Sequence, residues 1–293
     1  MSIEITTAFV KQYAAGVRSL QQQHDSRLRA AVSIENGVEG DRAFFDQVDA
    51  TAMAEVTNRH GDVEYTDTPH RRRMVTLATY EVADLVDRAD QRRLLNDPIN
   101  PYSKAMAMAA NRQLDDLILA AFDASASTGV DGATSVVHPA AFQLTESGGA
   151  TTFDVGDLRI IRELLEANEN MEDDDMNSWH GVLSADARNK LLGDTEVTSA
   201  DYNTIRALVQ GQINSFMGFN FIKSQRSAIT AANLRSTFFW VKQSMKLAIG
   251  EEPRAFIDPI PTKRHSIQVR YELDAGATRM DEKGVVRIQT DET

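Results

Sequence analysis

Residues 100–122, "NPYSKAMAMAANRQLDDLILAAF", predict a long amphipathic helix around which the rest of the chain has to be arranged. Asn100 is suited to cap its first turn, and Pro101 to occupy the first helical position. At about 1.5 Å per residue the helix is roughly 30 Å long, the width of a small domain. Its two faces differ, which predicts one buried side. The apolar stripe consists of Ala110, Leu114, Leu117, Ile118 and Ala121 with Phe122 beside it, and the polar face of Asn111, Arg112, Asp115 and Asp116.

The composition excludes several classes of protein. The 293 residues, 42% hydrophobic and 25% charged, are typical of a soluble globular chain of one large or two modest domains. No window approaches the ~20 consecutive apolar residues of a membrane span, and the N-terminus lacks the pattern of a secretory signal. The chain has no cysteine, which rules out disulfides and thiolate chemistry and fits a reducing cytoplasm.

The charge balance argues against a duplex-DNA reader. The chain carries 43 acidic and 31 basic residues, a formal charge of −12, whereas DNA readers need a basic surface. Only eight of the basic residues are lysine, and none lies between Lys11 and Lys104. Arginine suits bidentate contacts between proteins, although genomic base composition also favours it.

Two segments in the first third of the chain have too little apolar surface to fold alone. Residues 5–32 predict a weakly amphipathic helical arm with a glutamine run at its centre. Residues 42–56 and 71–86 predict extended runs joined by a polar connection, and hence a long two-stranded excursion. An isolated hairpin is marginal in water, so we expect both segments to lie on another surface.

The rest of the chain mixes helices and strands without the steady alternation of a parallel α/β enzyme, so we expect an α+β fold. Residues 123–154 predict loops with short strands. Further helices are predicted at 154–170 with Asp154 as cap, at 184–193 between Ser184 and Gly193, and at 198–213. Strands are predicted within 179–183, 218–224 and the start of 237–249, with two more in 265–290.

No motif indicates an active site. The chain has no phosphate-binding loop, no dinucleotide fingerprint and no GxSxG elbow. The acidic run 168–177, "NENMEDDDMN", could bind a cation or transfer protons, but a solvated loop is the favoured interpretation. We therefore expect no enzyme, no catalytic residue, no metal and no cofactor. The six histidines are scattered without metal-ligand spacing: His24, His60, His70, His138, His180 and His265.

A basic run, "HRRR" at residues 70–73, lies on the predicted excursion. Its arginines could contact phosphate or pair with carboxylates of a neighbouring subunit. Their place on an excursion favours the second interpretation. We therefore predict that Arg71, Arg72 and Arg73 form contacts between subunits.

Three stretches, in order along the chain, resemble the major capsid proteins of tailed bacteriophages, which share the HK97-type shell fold. They are residues 92–122, "RRLLNDPINPYSKAMAMAANRQLDDLILAAF", residues 211–224, "GQINSFMGFNFIKS", and residues 272–292, "ELDAGATRMDEKGVVRIQTDE". The residues that carry the resemblance are Asp97, Pro98, Ala109, Arg112, Asp115 and Ala120, then Gly211, Gly218 and Phe219, and then Gly276, Ala277, Arg279, Gly284, Val285 and Val286.

The resemblance implies an HK97-like α+β fold with named parts. The two segments that cannot stand alone become an N-terminal arm and an extended hairpin, the E-loop, which reaches over a neighbouring subunit. The long helix becomes the spine of the peripheral P-domain, and the A-domain packs around the ring axis. The implied ranges are 1–35 for the arm, 36–85 for the E-loop, 86–125 for the P-domain with its spine helix, 126–255 for the A-domain and 256–293 for the return strands of the P-domain.

The function that the resemblance implies is self-assembly, as hexamers and pentamers, into an icosahedral head that encloses double-stranded DNA without sequence-specific binding. The partners implied are a portal protein and, as an option, a decoration protein, with no membrane. Because about 35 residues precede the E-loop, we expect a separate scaffolding protein and no large maturation cleavage. The expected location is the virion, after assembly in the host bacterial cytoplasm. The alternative with the same fold is an encapsulin-like compartment that encloses a cargo enzyme.

Some shells of this fold join subunits by an isopeptide bond between an E-loop lysine and an asparagine on a neighbour. Residues 36–85 contain no lysine here, and arginine is too basic to act as the nucleophile. We therefore expect a shell held by non-covalent contacts alone.

Overall fold

The computed structural model describes residues 22–55, 62–63, 65–87, 99–145, 153–168, 179–193, 215–229 and 233–291. Within these residues no helix is long and apolar enough to cross a bilayer. The helices are α1 (Ile99–Asp123), α2 (Val155–Glu166) and α3 (Ala185–Gly193), with 3-10 turns at Arg29–Ala31, Ala140–Phe142, Lys242–Ser244 and Pro261–Lys263. The strands are β1 (Ser33–Asn36), β2 (Arg42–Val48), β3 (His70–Thr76), β4 (Ala78–Val86), β5 (Ala126–Thr128), β6 (Thr134–Val136), β7 (Gln143–Thr145), β8 (Trp179–Leu183), β9 (Ser215–Phe216), β10 (Phe219–Lys223), β11 (Leu234–Val241), β12 (Met245–Ile260), β13 (Ser266–Arg279) and β14 (Val285–Asp291).

The described strands form three sheets, which together with the helices make the expected α+β fold. A four-stranded sheet has the order β1-β12-β13-β4, and a six-stranded sheet the order β7-β14-β11-β8-β10-β9. A second four-stranded sheet, β2-β3-β5-β6, carries the extended segment. Two chain crossings, β11 to β12 and β13 to β14, connect the first two sheets at one place, where Met280 N donates to Ser244 O and Val241 N to Gly284 O.

The long helix α1 buries its apolar stripe against the β1-β12-β13-β4 sheet. Leu114, Ile118 and Phe122 are fully buried and share one core with Leu247 and Leu273 of that sheet. Each such side chain contributes roughly 1.5–3 kcal/mol through burial. The stripe predicted from helical spacing is therefore confirmed, and α1 extends one residue beyond the predicted helix at each end.

The six-stranded sheet is covered on both faces, which explains the unbroken apolar run of β11. Phe238 and Trp240 point to the α1 core, where Trp240 lies 4.6 Å from Phe122 between ring centroids. Phe239 lies in a second core with α2 and α3, in edge contact with Phe219. Strands buried on both faces have continuous hydrophobic sequences.

The helices of the second core begin where the sequence predicts. Asp154 accepts from Asp157 N while the Asp157 carboxylate accepts from Asp154 N, a capping box. Ser184 Oγ accepts from Ala187 N at 3.1 Å and caps α3. The predicted helix 198–213 lies outside the described residues.

The described part of the N-terminal arm belongs to the core of its own subunit. The predicted helix is wrong for residues 22–32, which contain a single 3-10 turn. Leu28, Ala31 and Val32 are buried in the α1 core, and Trp240 Nε1 donates to Ala31 O at 2.8 Å. The expectation that this part of the arm needs a neighbour for its packing surface is also wrong, because β1 pairs with β12 of the same chain. Residues 1–21 lie outside the described part.

Asp115 fastens this arm to the long helix. Its carboxylate is fully buried and accepts from Ser26 Oγ at 2.6 Å and from Arg27 N and Leu28 N at 3.1 Å each. Gln23 Nε2 also donates to it. The assignment of Asp115 to the polar, solvent-facing side of the helix is therefore wrong, because the arm covers this part of that side.

The extended segment is an antiparallel hairpin. We use "the hairpin" for residues 42–76, in which β2 pairs with β3 from Arg42↔Thr76 to Val48↔His70. The predicted excursion is confirmed for these two strands. The second run continues differently, because β4 leaves the hairpin and pairs with β13 from Ala78↔Ala275 to Val86↔Ile267.

The domain ranges implied by the resemblance stay predictions. Position 255/256 lies inside β12, which continues from Met245 to Ile260. The C-terminal strand β14 pairs with β11 in the six-stranded sheet, whereas β12 and β13 lie in the sheet with β1 and β4.

Replacement of Asp115 tests the arm attachment. Asp115→Asn keeps the side-chain volume but replaces one carboxylate oxygen by an NH2 group, which donates and cannot accept from the buried N–H and O–H groups of the arm. We therefore expect the free energy of unfolding to fall by about 3 kcal/mol. Asp116→Asn is the matched control, because Asp116 pairs with Arg226 at a partly exposed site where about 0–1 kcal/mol is at stake. Urea unfolding of the full chain measures both values. Equal losses for the two variants would contradict the role of Asp115.

Candidate assembly surface

The far end of the hairpin contacts little of its own chain. The described residues 50–55, 62–63 and 65–69 are all exposed. Several of the exposed side chains are large and apolar, which is unusual for a segment that solvent surrounds. Clusters of exposed apolar side chains mark contact sites for other molecules. The set is Phe44 at 41% exposure, Val48 at 62%, Met53 at 101%, Val63 at 75% and Tyr65 at 94%.

Two of the three hairpin arginines are paired within the exposed part of the hairpin. Arg71 Nε lies 2.5 Å from Asp49 Oδ2, and Arg72 Nε lies 2.6 Å from Asp46 Oδ1. The hydrogen bond from Arg72 lowers the pKa of the Asp46 carboxyl, and the same bond raises the pKa of Arg72. Arg72 also lies over the Phe44 ring at 5.6 Å. Contact of Arg71 and Arg72 with an adjacent subunit stays a prediction.

These side chains border a groove of about 570 Å³ between β3 and the β5–β6 turn. Asp46, Arg71 and Arg72 line one side, and Gly129 and Val130 the other. Val130 is 78% exposed, so an apolar side chain stands next to the paired charges. The groove extends the hairpin's exposed surface toward the body of the subunit.

Arg73 has a different environment from its two neighbours. Its side chain is 3% exposed and forms an ion pair with Glu282, which lies between β13 and β14 of the same chain. Arg73 Nε also donates to Met280 O at 3.1 Å, and Gln47 Nε2 donates to the same oxygen at 3.1 Å. Arg73 therefore has its ion-pair and hydrogen-bond partners within its own subunit.

A second exposed surface lies on the outer part of the β12–β13 ribbon. The Phe256 ring lies between the guanidinium groups of Arg254 and Arg270, at 5.1 and 5.0 Å from its centroid. Arg270 is also 2.5 Å from Glu272. Ile257, on the next position of β12, is 50% exposed. Apolar and charged side chains therefore alternate here, as in the polar rims of protein interfaces.

The groups considered for chemistry are dispersed. In the ranges that the structure describes, no three His, Asp or Glu side chains are grouped to hold a metal ion. Of the acidic run, residues 169–177 lie outside the described part, as does His60. His138 and His180 are mostly buried, and burial lowers the pKa of both imidazoles, that of His180 to about 4.

Sequence reasoning missed the residues that fix the hairpin and the end of the helix. Glu282 lies in a charged stretch that predicts only a polar connection between two strands. Arg279 is 0% exposed and donates to Phe122 O at 2.7 Å and Ala124 O at 3.0 Å, at the C-terminus of α1. Arg279 belongs to the residues that carry the family resemblance, which was the one signal available for it.

The arrangement of a long helix on one sheet, a second covered sheet and a projecting hairpin occurs in solved phage shells. The chain matches the capsid of cyanophage P-SCSP1u with a TM-score of 0.73 and 13% identity, over 98% of this chain and 94% of that one. It matches the capsid of cyanophage Pam1 with a TM-score of 0.75 and 16% identity, over 96% of each chain. The capsid chain of a native GTA particle matches with a TM-score of 0.69 and 12% identity, over 100% of this chain and 99% of that chain. No curated protein matches the chain.

These likenesses show the fold, which is the HK97-like fold expected from the sequence. A family model for phage capsid proteins matches residues 5–292, and the chain belongs to that family. The resemblance inferred from the sequence is confirmed. The family match supports a phage shell and gives no support to the encapsulin-like alternative.

The buried His180 predicts acid sensitivity. The pKa of this imidazole is 6.5 in the unfolded chain and about 4 in the folded one, so only the unfolded chain takes up a proton on it as the pH falls through this window. Acidification from pH 6.5 to 4 therefore favours unfolding, and the folded state is fully favoured above pH 6.5. His180→Phe should flatten this part of the stability–pH curve, measured by urea unfolding. The exposed His265→Phe is the control and should leave the slope as it is; an unchanged slope in His180→Phe would refute the assignment.

Proposed function

We propose that this capsid protein assembles as hexamers and pentamers into a closed icosahedral shell that encloses double-stranded DNA. The observation that carries the proposal is the projecting hairpin, on which five large apolar side chains are between 41% and 101% exposed in the described part of the subunit. Burial of these side chains against a second copy would remove apolar surface from water, at about 25 cal/mol per Å². A neighbouring subunit is the partner that the family provides in many copies.

In this proposal the charged groups of the hairpin set the register of the contact between subunits and contribute little of its binding free energy. Exposed ion pairs such as Arg71–Asp49 and Arg72–Asp46 contribute little stability, because water screens both charges. In the shell, Arg71 and Arg72 would pair with carboxylates of a neighbouring copy in place of Asp49 and Asp46, and these new pairs would set the register of the contact between the two subunits. Strength would then come from many modest contacts repeated over the lattice.

The charge of the chain suits a container that does not bind its contents tightly. A formal charge of −12 repels DNA phosphates on average and leaves packaged DNA mobile. Two arginines of the arm that could have formed a basic lining are already engaged. Arg29 pairs with Glu252, and Arg27 donates to Lys223 O at 2.6 Å. These engagements support a neutral or acidic inner surface without sequence-specific contacts.

The proposal includes partners that the family's task requires. A separate scaffolding protein would direct curvature during assembly in the host cytoplasm. A portal protein would occupy one vertex, and a decoration protein would bind the outer surface. The mature chain would be a component of the virion.

Electron microscopy of the expressed chain, alone and together with a scaffolding protein encoded nearby, tests the function. We expect closed shells that disappear when Met53 and Tyr65 are both changed to serine, because the apolar contact surface is lost. The matched control changes Val137 and Ile229, which are 69% and 51% exposed but lie away from the hairpin, and should keep shells. Shells that form normally without the hairpin's apolar side chains would contradict the proposal.

Boiling assembled particles in detergent tests the non-covalent character of the shell. Since residues 36–85 lack lysine, we expect a single band of about the 32.5 kDa monomer mass. A chain in which Arg71 is replaced by lysine serves as the control for accidental cross-linking and should give the same band. A ladder of covalent oligomers in the wild type would show that another amine forms a bond.

A further inference from the structure

The hairpin is attached to the body of its subunit at two separate places along its length. The inner attachment is apolar: Ala43, Val75 and Leu77 pack with Ala248 of β12. Gly276 of β13 lies so close that a Cβ there would come within 2.3 Å of Thr76 O. This attachment fixes where the hairpin starts but, as a single small cluster, it leaves the hairpin free to tilt.

The outer attachment is polar. Gln47 and Arg73 reach the turn between β13 and β14, where both donate to Met280 O and Arg73 pairs with Glu282. Arg73 lies two residues from Val75 along β3, and Gln47 lies four residues beyond Ala43 along β2, which is about 7 and 13 Å at the rise of a strand. Two attachments separated in this way define a direction, whereas one does not.

A third connection, between β3 and β5, lies within the hairpin's own sheet and restrains movement mainly in the plane of that sheet. β5 pairs with β3 at only two positions, Arg73↔Thr128 and Met74↔Ser127. The β5–β6 turn then covers Met74, with Gly132 close to its sulfur. These short strands form the edge of the same sheet as the hairpin and so can move with it. The hairpin also contacts β12 through the Phe45 ring, which lies 5.1 Å from Lys246 Nζ and packs on the inner attachment. Control of tilt farther from that attachment therefore falls to the outer polar attachment.

Buried ion pairs are poor sources of stability, because desolvation of both charges offsets their attraction. The Arg73–Glu282 pair, with side chains 3% and 11% exposed, is the most buried guanidinium–carboxylate pair in the part of the chain that the structure describes. Its partners lie far apart in sequence, Arg73 on strand β3 and Glu282 in the turn between β13 and β14. What such a pair can provide is one preferred geometry, since its hydrogen bonds are lost when the hairpin tilts.

We propose that Arg73 and Glu282 are positioning residues that set the angle at which the hairpin leaves the subunit, and thereby the neighbour position that it reaches in the shell. The inference rests on the proposed role of the hairpin in assembly. It assigns Arg73 to orientation within the subunit, in contrast to Arg71 and Arg72, which face outward.

The test measures orientation and stability separately. The chain has no cysteine, so Val48→Cys and Ile257→Cys place one spin label on the hairpin and one on β12. In the double variant Arg73→Met with Glu282→Leu, no lone charge is buried. We expect a melting temperature close to that of the parent and a distance distribution between the labels that is about twofold broader. The matched control, Arg72→Met with Asp46→Leu, removes the neighbouring exposed pair and should leave the distribution narrow.

Shell images of the same variants, without labels, provide the second measurement. We expect shells of mixed size or open sheets from the Arg73/Glu282 variant. For the shells the control is Arg162→Gln with Glu166→Gln, which removes an exposed pair on α2 away from the hairpin and should give uniform shells. Glu282→Gln, which keeps the volume and an acceptor, should lie between the two. An unchanged distance distribution overturns the inference even if wild-type shells form, and so does failure of both Glu282 variants to fold, since the pair would then be a stability element. Absence of wild-type shells would instead contradict the proposed function.

Discussion

The buried guanidinium of Arg279 links the C-terminus of the long helix to the end of strand β13, beside the crossing between the two larger sheets. It donates to Phe122 O and Ala124 O, the carbonyls left unpaired at the C-terminus of the long helix, and contacts Val136 O at 3.4 Å. Burial lowers the pKa of this group, with Glu282 acting in the opposite direction. An arginine remains charged even so, and it suits the negative end of the helix dipole. Strand β13 ends at Arg279, so the same residue joins the helix terminus to the chain crossing between the two larger sheets.

This junction joins the long helix and the two larger sheets into one packed body, from which the hairpin projects with the largest group of exposed apolar side chains among the described residues. The two hydrophobic cores lie on opposite faces of the six-stranded sheet. Hydrogen bonds to the Asp115 carboxylate hold the arm on the long helix. A subunit that occupies many similar positions in a shell benefits from a well-packed body, because the angles between neighbouring subunits then vary little from copy to copy. The hairpin, held at its base and exposed at its end, is the part through which one subunit can reach another.

Two environments that the local sequence does not indicate, those of Asp115 and Arg73, share a physical origin. Asp115 occupies a polar position in the spacing of the helix, yet it is buried because the arm lies on that side and needs an acceptor for its backbone donors. Arg73 is one of three consecutive arginines, and strand alternation turns it inward to Glu282 while Arg72 faces out. In both cases the environment is made by a segment more than 80 residues away in sequence. Local pattern contains no information about such a partner.

The sequence by itself determined the α+β class, the long helix with its buried stripe, the two strands of the hairpin, the caps at Asp154 and Ser184 and the family of the protein. These features depend on spacing and on short-range hydrogen bonds, which a local stretch of residues specifies. Only the tertiary structure decided that the arm forms a strand on its own subunit, that β4 and β14 join different sheets, and which arginine is buried. Those outcomes depend on which distant surfaces bury the most apolar area while still pairing every charge, and that balance exists only once the chain has folded.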